Sequence, residues 1–194
     1  MVEKLFNTEG LIHDKIVKNL IKPLKNVEVK KIIDAGSGKT SASVLLKYFP
    51  NAEVDAIVYP GDNRKLKPLE NSIGSHRLEI VEADICTACI RRKYDVCLAH
   101  LVLGEAHNFG NHFSDLFHQI MDIKAKYFIV VDIFDDPAVH FRYMEQYWKE
   151  KGFKIIKKKK FKNPNPEKYP KVKYDKYKLE FISKHYIGYL VERL

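Results

Sequence analysis

No apolar run in this chain is long enough to cross a bilayer. Its longest apolar stretches are short and strand-like, such as Tyr127 to Val131, so no helical membrane span is expected. No long apolar core follows Met1-Val2-Glu3-Lys4, so a secretory leader is not expected either. Cysteine is scarce, with only three residues. An odd number in a chain of this length does not make a disulfide framework, and the cytoplasm is the expected compartment. Cys86-x-x-Cys89 lacks a second pair, and Cys97 lies inside a strand-like run. His107, His112 and His118 are spaced by five and six residues and do not share one helix face. No metal site is expected. Two phosphate-binding signatures are incomplete. A P-loop ending in Gly38-Lys39-Thr40 needs glycine at position 33, where Ile33 stands. A dinucleotide fingerprint starting at Gly36 needs glycine at position 41, where Ser41 stands.

The composition, 45% hydrophobic and 30% charged, is that of a globular chain, and 194 residues argue for one domain, 1–194. Its elements alternate. Ile12, Ile16, Leu20 and Leu24 mark a helix that ends near Pro23, within a helical lead over 1–28. A strand at Ile32-Ile33 precedes a helix over 40–49. A strand over 54–58 precedes a helix over 64–73, and Leu78 to Val81 alternates apolar and polar residues. Asp95 to Ala99 reads as a buried strand. A helix over 111–123, a strand over 127–131 and a helix over 137–151 follow. Phe153 to Ile156 and Tyr186 to Val191 are late strands with no helix between them. Strands separated by helices predict parallel βαβ units. The expected fold is α/β: a mostly parallel sheet with helices on both faces and a C-terminal antiparallel hairpin over 152–194.

The most informative stretch is Lys31-Ile32-Ile33-Asp34-Ala35-Gly36-Ser37-Gly38-Lys39-Thr40. A strand ends in an acid, then a turn with two glycines opens a helix. Such a turn presents backbone N–H groups and lets a ligand approach the chain closely. The carboxylate can accept hydrogen bonds from a ligand amine or hydroxyl. Asp34, Asp84, His100 and Asp132 all fall at the carboxyl ends of strands, where open parallel sheets bind ligands.

Asp34-x-Gly36-x-Gly38, with this element order, resembles the class I S-adenosylmethionine-dependent methyltransferases over nearly the whole chain. The resemblance implies a Rossmann-like sheet and S-adenosylmethionine as cofactor, lying across Gly36 and Gly38. Its methionine end would lie near Asp34 and its adenine near Asp84 and Ile85, which close the third strand. The family usually carries an acid for the ribose hydroxyls at the end of the second strand. Here Val58 or Tyr59 stands at that position, with Tyr59 and Asp62 as candidate substitutes. The fourth strand ends Ala99-His100-Leu101-Val102, not the Asn/Asp-Pro-Pro-aromatic of exocyclic-amine methylating members. His100 is the leading candidate for orientation or proton removal and Glu105 the second.

Charge is unevenly distributed. Between Lys151 and Lys178 twelve lysines face only Glu167 and Asp175, a balance of +10, while the whole chain is +9. The rest therefore sums to −1. Lys157, Lys158, Lys159 and Lys160 adjoin Phe161, and the segment is expected to be a basic loop within the hairpin. Lysines interleaved with aromatic rings suit phosphate contacts and base stacking. The expected activity is methyl transfer to RNA or a ribonucleoprotein, ahead of a small metabolite. A catalytically inactive nucleic-acid-binding relative and a nucleotide- or NAD-binding protein are the alternatives.

Overall fold

The computed structural model describes residues 8–61, 63, 66–104, 113–133, 137–163 and 185–194. Asp62, Glu105, His107, His112 and the 164–178 part of the basic segment lie outside them. The elements in chain order are α1 (Thr8–Leu20), a 3-10 turn (Lys22–Leu24), β1 (Lys31–Ala35), α2 (Lys39–Tyr48), β2 (Glu53–Val58), α3 (Lys67–Ile73), β3 (Leu78–Glu82), β4 (Lys93–His100), α4 (Phe113–Asp122), β5 (Lys124–Asp132), α5 (Pro137–Glu150), β6 (Phe153–Lys162) and β7 (His185–Arg193). Pro23 ends α1 because it donates no backbone hydrogen bond to a continuing helix.

The seven strands form one sheet in the order β3-β2-β1-β4-β5-β7-β6. The first five pair in parallel. β7 runs antiparallel to both β5 and β6. The expected hairpin is present at one edge, but the final strand is its inner member and β6 is the edge. Order reverses between β1 and β4, so their carboxyl ends flank a crevice.

Burial divides the helices between the two faces. Ile16, Leu20, Val44, Leu45 and Leu69, from α1, α2 and α3, pack on Ile32, Val54, Leu98 and Leu190. Phe117, Ile120, Met144 and Trp148, from α4 and α5, pack on Ile33, Cys97, Val130 and Val191 on the other face. Central strands covered on both sides read as near-continuous apolar runs, as Val96 to Ala99 and Phe128 to Val131 do.

The basic segment departs from expectation. β6 extends to Lys162, so Lys157 to Lys160 lie on the edge strand and not in a loop. Pairing with β7 supplies the strand that four consecutive lysines do not signal. Phe161 is only 7% exposed and packs in the α1 face of the core. A base-stacking role for Phe161 is therefore corrected to a packing role.

Candidate functional site

The turn after β1 is built around Asp34, which is fully buried. Its Oδ2 accepts from Ser37 Oγ at 2.5 Å and lies 2.7 Å from Ser41 Oγ. Its Oδ1 is buried with no hydrogen-bond partner among the described residues. Burial pushes the carboxyl up to about 6, against the pull of the two serine hydroxyls. A buried carboxylate oxygen without a donor is costly, and it marks where a ligand donor is wanted. Ser41 also accepts from the Gly38 N–H at 3.0 Å, the reach-back of a third helical residue to its cap. The Ser37 N–H donates to Ile57 O at 2.6 Å and ties the turn to β2.

The two glycines differ. Gly36 has φ +77°, and a Cβ there would overlap Val102 Cγ2. Gly38 has φ −122° and caps α2. A Cβ on Gly38 would meet no atom of the described residues within 4 Å. The first-turn N–H groups of α2 beyond Gly38 have no intrahelical acceptor. The open approach to the backbone is thus at Gly38, at the positive end of a helix. Ile33, at the position a P-loop needs for glycine, is fully buried in the α4–α5 face.

The rim lies at the ends of β2 and β3. Val58 is 2% exposed, so no side chain there serves a ligand hydroxyl, whereas Tyr59 is 50% exposed. Glu82 is the register partner of Val58. Its carboxylate accepts from the Gly61 N–H at 2.9 Å and from Asn63 Nδ2. A carboxylate thus stands beside the end of β2, supplied by β3. Asp84 Oδ1 accepts from the Cys86 N–H at 2.9 Å, capping the turn that carries Ile85.

Across the crevice, the chain turns sharply after β4. Leu101 has φ +57°, rare for a branched side chain, and its N–H donates to Val131 O. This brings Val102 over Gly36. Asp132 is 2% exposed. Its Oδ2 accepts from the Leu103 and Gly104 N–H groups at 2.8 and 3.0 Å, and its Oδ1 from Ile133 N–H at 2.7 Å. One carboxylate therefore fixes the loop that walls the crevice.

His100 does not stand open at the strand end. It is 8% exposed, under α1. Its Nε2 lies 3.0 Å from His13 Nδ1, and the rings meet edge-on, with Tyr186 edge-on to His13. Burial, and then His13, hold His100 well below the usual histidine range. Burial lowers His13 to about 4. A base so weakened takes a proton poorly near neutrality. The expected general base is thus part of a neutral, packed histidine pair.

Asp34, Gly36, Gly38, Tyr59, Asp84 and Ile85 lie along the ends of three adjacent strands, β1, β2 and β3. Lys157 to Lys160 are at the opposite sheet edge. Sequence reasoning missed Glu82, Val102 and His13. Only the β2–β3 register could have signalled Glu82.

No protein-family model matches the sequence, and no curated protein matches it. Solved structures match its fold. A candidate RNA methyltransferase from Pyrococcus horikoshii superposes with TM-score 0.68 at 15% identity, over 97% of this chain and 87% of that one. Magnesium protoporphyrin IX methyltransferase from Synechocystis, solved with S-adenosylmethionine, gives 0.66 at 12%, over 96% and 80%. An Escherichia coli rRNA methylase gives 0.62 at 13%, over 93% and 64%, so this chain spans less than two thirds of that protein. The fold is that of the class I S-adenosylmethionine-dependent methyltransferases.

Proposed function

We propose that this protein binds S-adenosylmethionine across the ends of β1, β2 and β3 and transfers a methyl group to RNA or a ribonucleoprotein, in preference to a small metabolite. The observation that carries the cofactor reading is the β1 turn: a buried Asp34 oxygen with no donor among the described residues, beside open backbone at Gly38. Asp34, Gly36 and Gly38 hold the methionine end. Tyr59 packs against the adenosine, Asp62 is the candidate acid for the ribose hydroxyls, and Asp84 and Ile85 meet the adenine. Bound there, the cofactor supplies an electrophilic methyl group on a sulfonium.

The chain's own contribution is alignment and exclusion of water. Asp132 fixes Leu103 and Gly104, and Val102 closes over the turn. His100 positions the end of β4, which leaves Glu105 as the candidate base. RNA as acceptor is favoured by Lys157 and Lys159 on the α1 side of β6, and an rRNA methylase is among the similar structures.

A second reading is favoured by one observation. Val58 is buried where the family carries its ribose acid, which suits a catalytically inactive relative that binds nucleic acid. Calorimetry separates the readings. S-adenosylmethionine and its demethylated product should bind, and NAD and ATP should not. Binding of NAD or ATP alone would move the protein to the nucleotide-binding class. Cofactor binding without turnover on any RNA would favour the inactive relative.

A further inference from the structure

We infer that the outward face of α1, together with the adjoining side of β6, is a docking track for single-stranded RNA that leads toward the crevice. The RNA identity rests on the acceptor reading above; the surface itself does not. Lys15, Lys18, Lys22 and Lys25 recur at spacings of three, four and three, and all are exposed. Ile16, Val17, Leu20, Ile21 and Leu24 from the same stretch are buried. Helical spacing puts Lys15 and Lys18 on the side of α1 opposite the packed face, and Lys22 and Lys25, just past its end, line the same groove as Lys18. None of the four makes an ion pair among the described residues. The nearby acids among the described residues are already engaged, Glu53 in the groove wall by Lys31 at 3.5 Å. Asp14 takes Lys47 Nζ and Tyr48 OH, each at 3.1 Å, and Glu28 faces Lys30 at 3.3 Å.

The row is flanked on both sides. Toward α2 lies a groove of about 1030 Å³, rimmed by Lys18, Lys22 and Lys25 and floored by apolar groups such as Leu24, Phe49 and Pro50. Toward β6, Lys157 donates to Asn19 O at 2.7 Å, and Lys159 lies over Phe161 at 5.5 Å. Partial burial, then the charges of Lys22 and Lys159, hold the Lys157 ammonium below its ordinary range, as expected where cations gather. Lys158 points to the other face and bonds Glu145 at 2.6 Å. Strand alternation sends Lys160 and Lys162 with it. Only half of the lysine quartet thus belongs to the track.

The direction of α1 links the track to the site. His13 meets His100 at the carboxyl end of β4, whereas the groove reaches Val29, Lys30 and Glu53 at the amino ends of β1 and β2. Lys15 to Leu20 covers about 8 Å at the helical rise of about 1.5 Å per residue, and the 3-10 turn carries the row on past Lys22 to Lys25. A chain gripped along this row reaches the crevice end beside Lys15. A row of cations beside an apolar trough matches a polymer that alternates phosphates with bases. An acidic peptide would use the cations alone.

Fluorescence anisotropy of a labelled 20-nucleotide oligouridine with the full chain tests this. With about five phosphates neutralised, each lowering the log–log salt slope by about 0.7, affinity should fall roughly a hundredfold between 50 and 200 mM salt. The triple variant Lys18→Gln, Lys22→Gln, Lys25→Gln should bind at least about tenfold more weakly at 50 mM, with a salt slope shallower by about 2. These side chains are exposed, so its circular dichroism should match wild type. The control triple Lys158→Gln, Lys160→Gln, Lys162→Gln removes the same charge from the other face and should change affinity by less than about threefold. Equal losses in the two triples, or none in the first, would overturn the proposal. Polyglutamate of matched charge binding as tightly as RNA would overturn it in favour of an acidic protein partner. Calorimetry with S-adenosylmethionine on the same samples reads the cofactor site separately: its failure with RNA binding intact would sink the methyltransferase reading and leave the track standing.

Discussion

Acid should destabilise this protein through the histidine pair, and the size of the effect follows from the burial. His13 has a folded value of about 4 against about 6.5 in an unfolded chain. Its stabilising difference is complete above pH 6.5 and is lost as pH falls toward 4. From pH 7.5 to 5 the unfolded state gains proton binding over roughly 1.5 pH units, or about 2 kcal/mol. His100 is shifted the same way by burial and by His13 and adds to the loss. Asp34 opposes it. With a folded value of about 6 against about 3.9 unfolded, it favours the folded state in acid and loses that contribution as pH rises through 6. Its gain over the same interval is about 1.4 kcal/mol. The histidines outweigh it, so net stability should fall at pH 5. Urea unfolding read from Trp148, the only tryptophan and fully buried, gives the measurement. A His13→Gln variant keeps an amide beside His100 but does not titrate, so between pH 7.5 and 5 it should lose about 2 kcal/mol less than wild type. Identical pH slopes in the two proteins, or a wild type more stable at pH 5, would refute a neutral buried pair.

Gly38→Val should fold normally, because its Cβ enters open space, yet lower cofactor affinity by about tenfold or more; Gly36→Val should instead lose stability, from its positive φ and the overlap with Val102. Asp132→Ala should cost about 2–4 kcal/mol by orphaning three N–H groups, and Asp132→Asn should recover part of that in thermal melts. His100→Ala should lower turnover only a few-fold once an acceptor is found, while a hundredfold loss at unchanged cofactor affinity would restore it as the base. Phe161→Ala should cost about 3 kcal/mol in urea unfolding, and a neutral effect would remove it from the core.

The parallel order was legible because the strands from β1 to β5 carry their own apolar residues and, except between β3 and β4, are separated by a helix with its own spacing. Asp34 and the glycine turn were legible because their chemistry is local in sequence. The end of β6 was not: Lys157-Lys158-Lys159-Lys160 shows no alternation, and only pairing with β7 makes it a strand. His100 read as a candidate base because it ends a strand at the carboxyl edge of the sheet. What covers it is His13, 87 positions away, on a helix whose docking no local pattern describes. Glu82 was passed over for the same kind of reason. Its relation to the end of β2 exists only through the Val58–Glu82 register.

The most direct test of the account is calorimetric titration of the full chain with S-adenosylmethionine, with Gly38→Val in parallel. Saturable one-to-one binding by wild type, weakened about tenfold or more in a folded Gly38→Val, is the predicted result. No binding by wild type, or equal binding by the variant, would contradict a cofactor site at the Asp34–Gly38 turn.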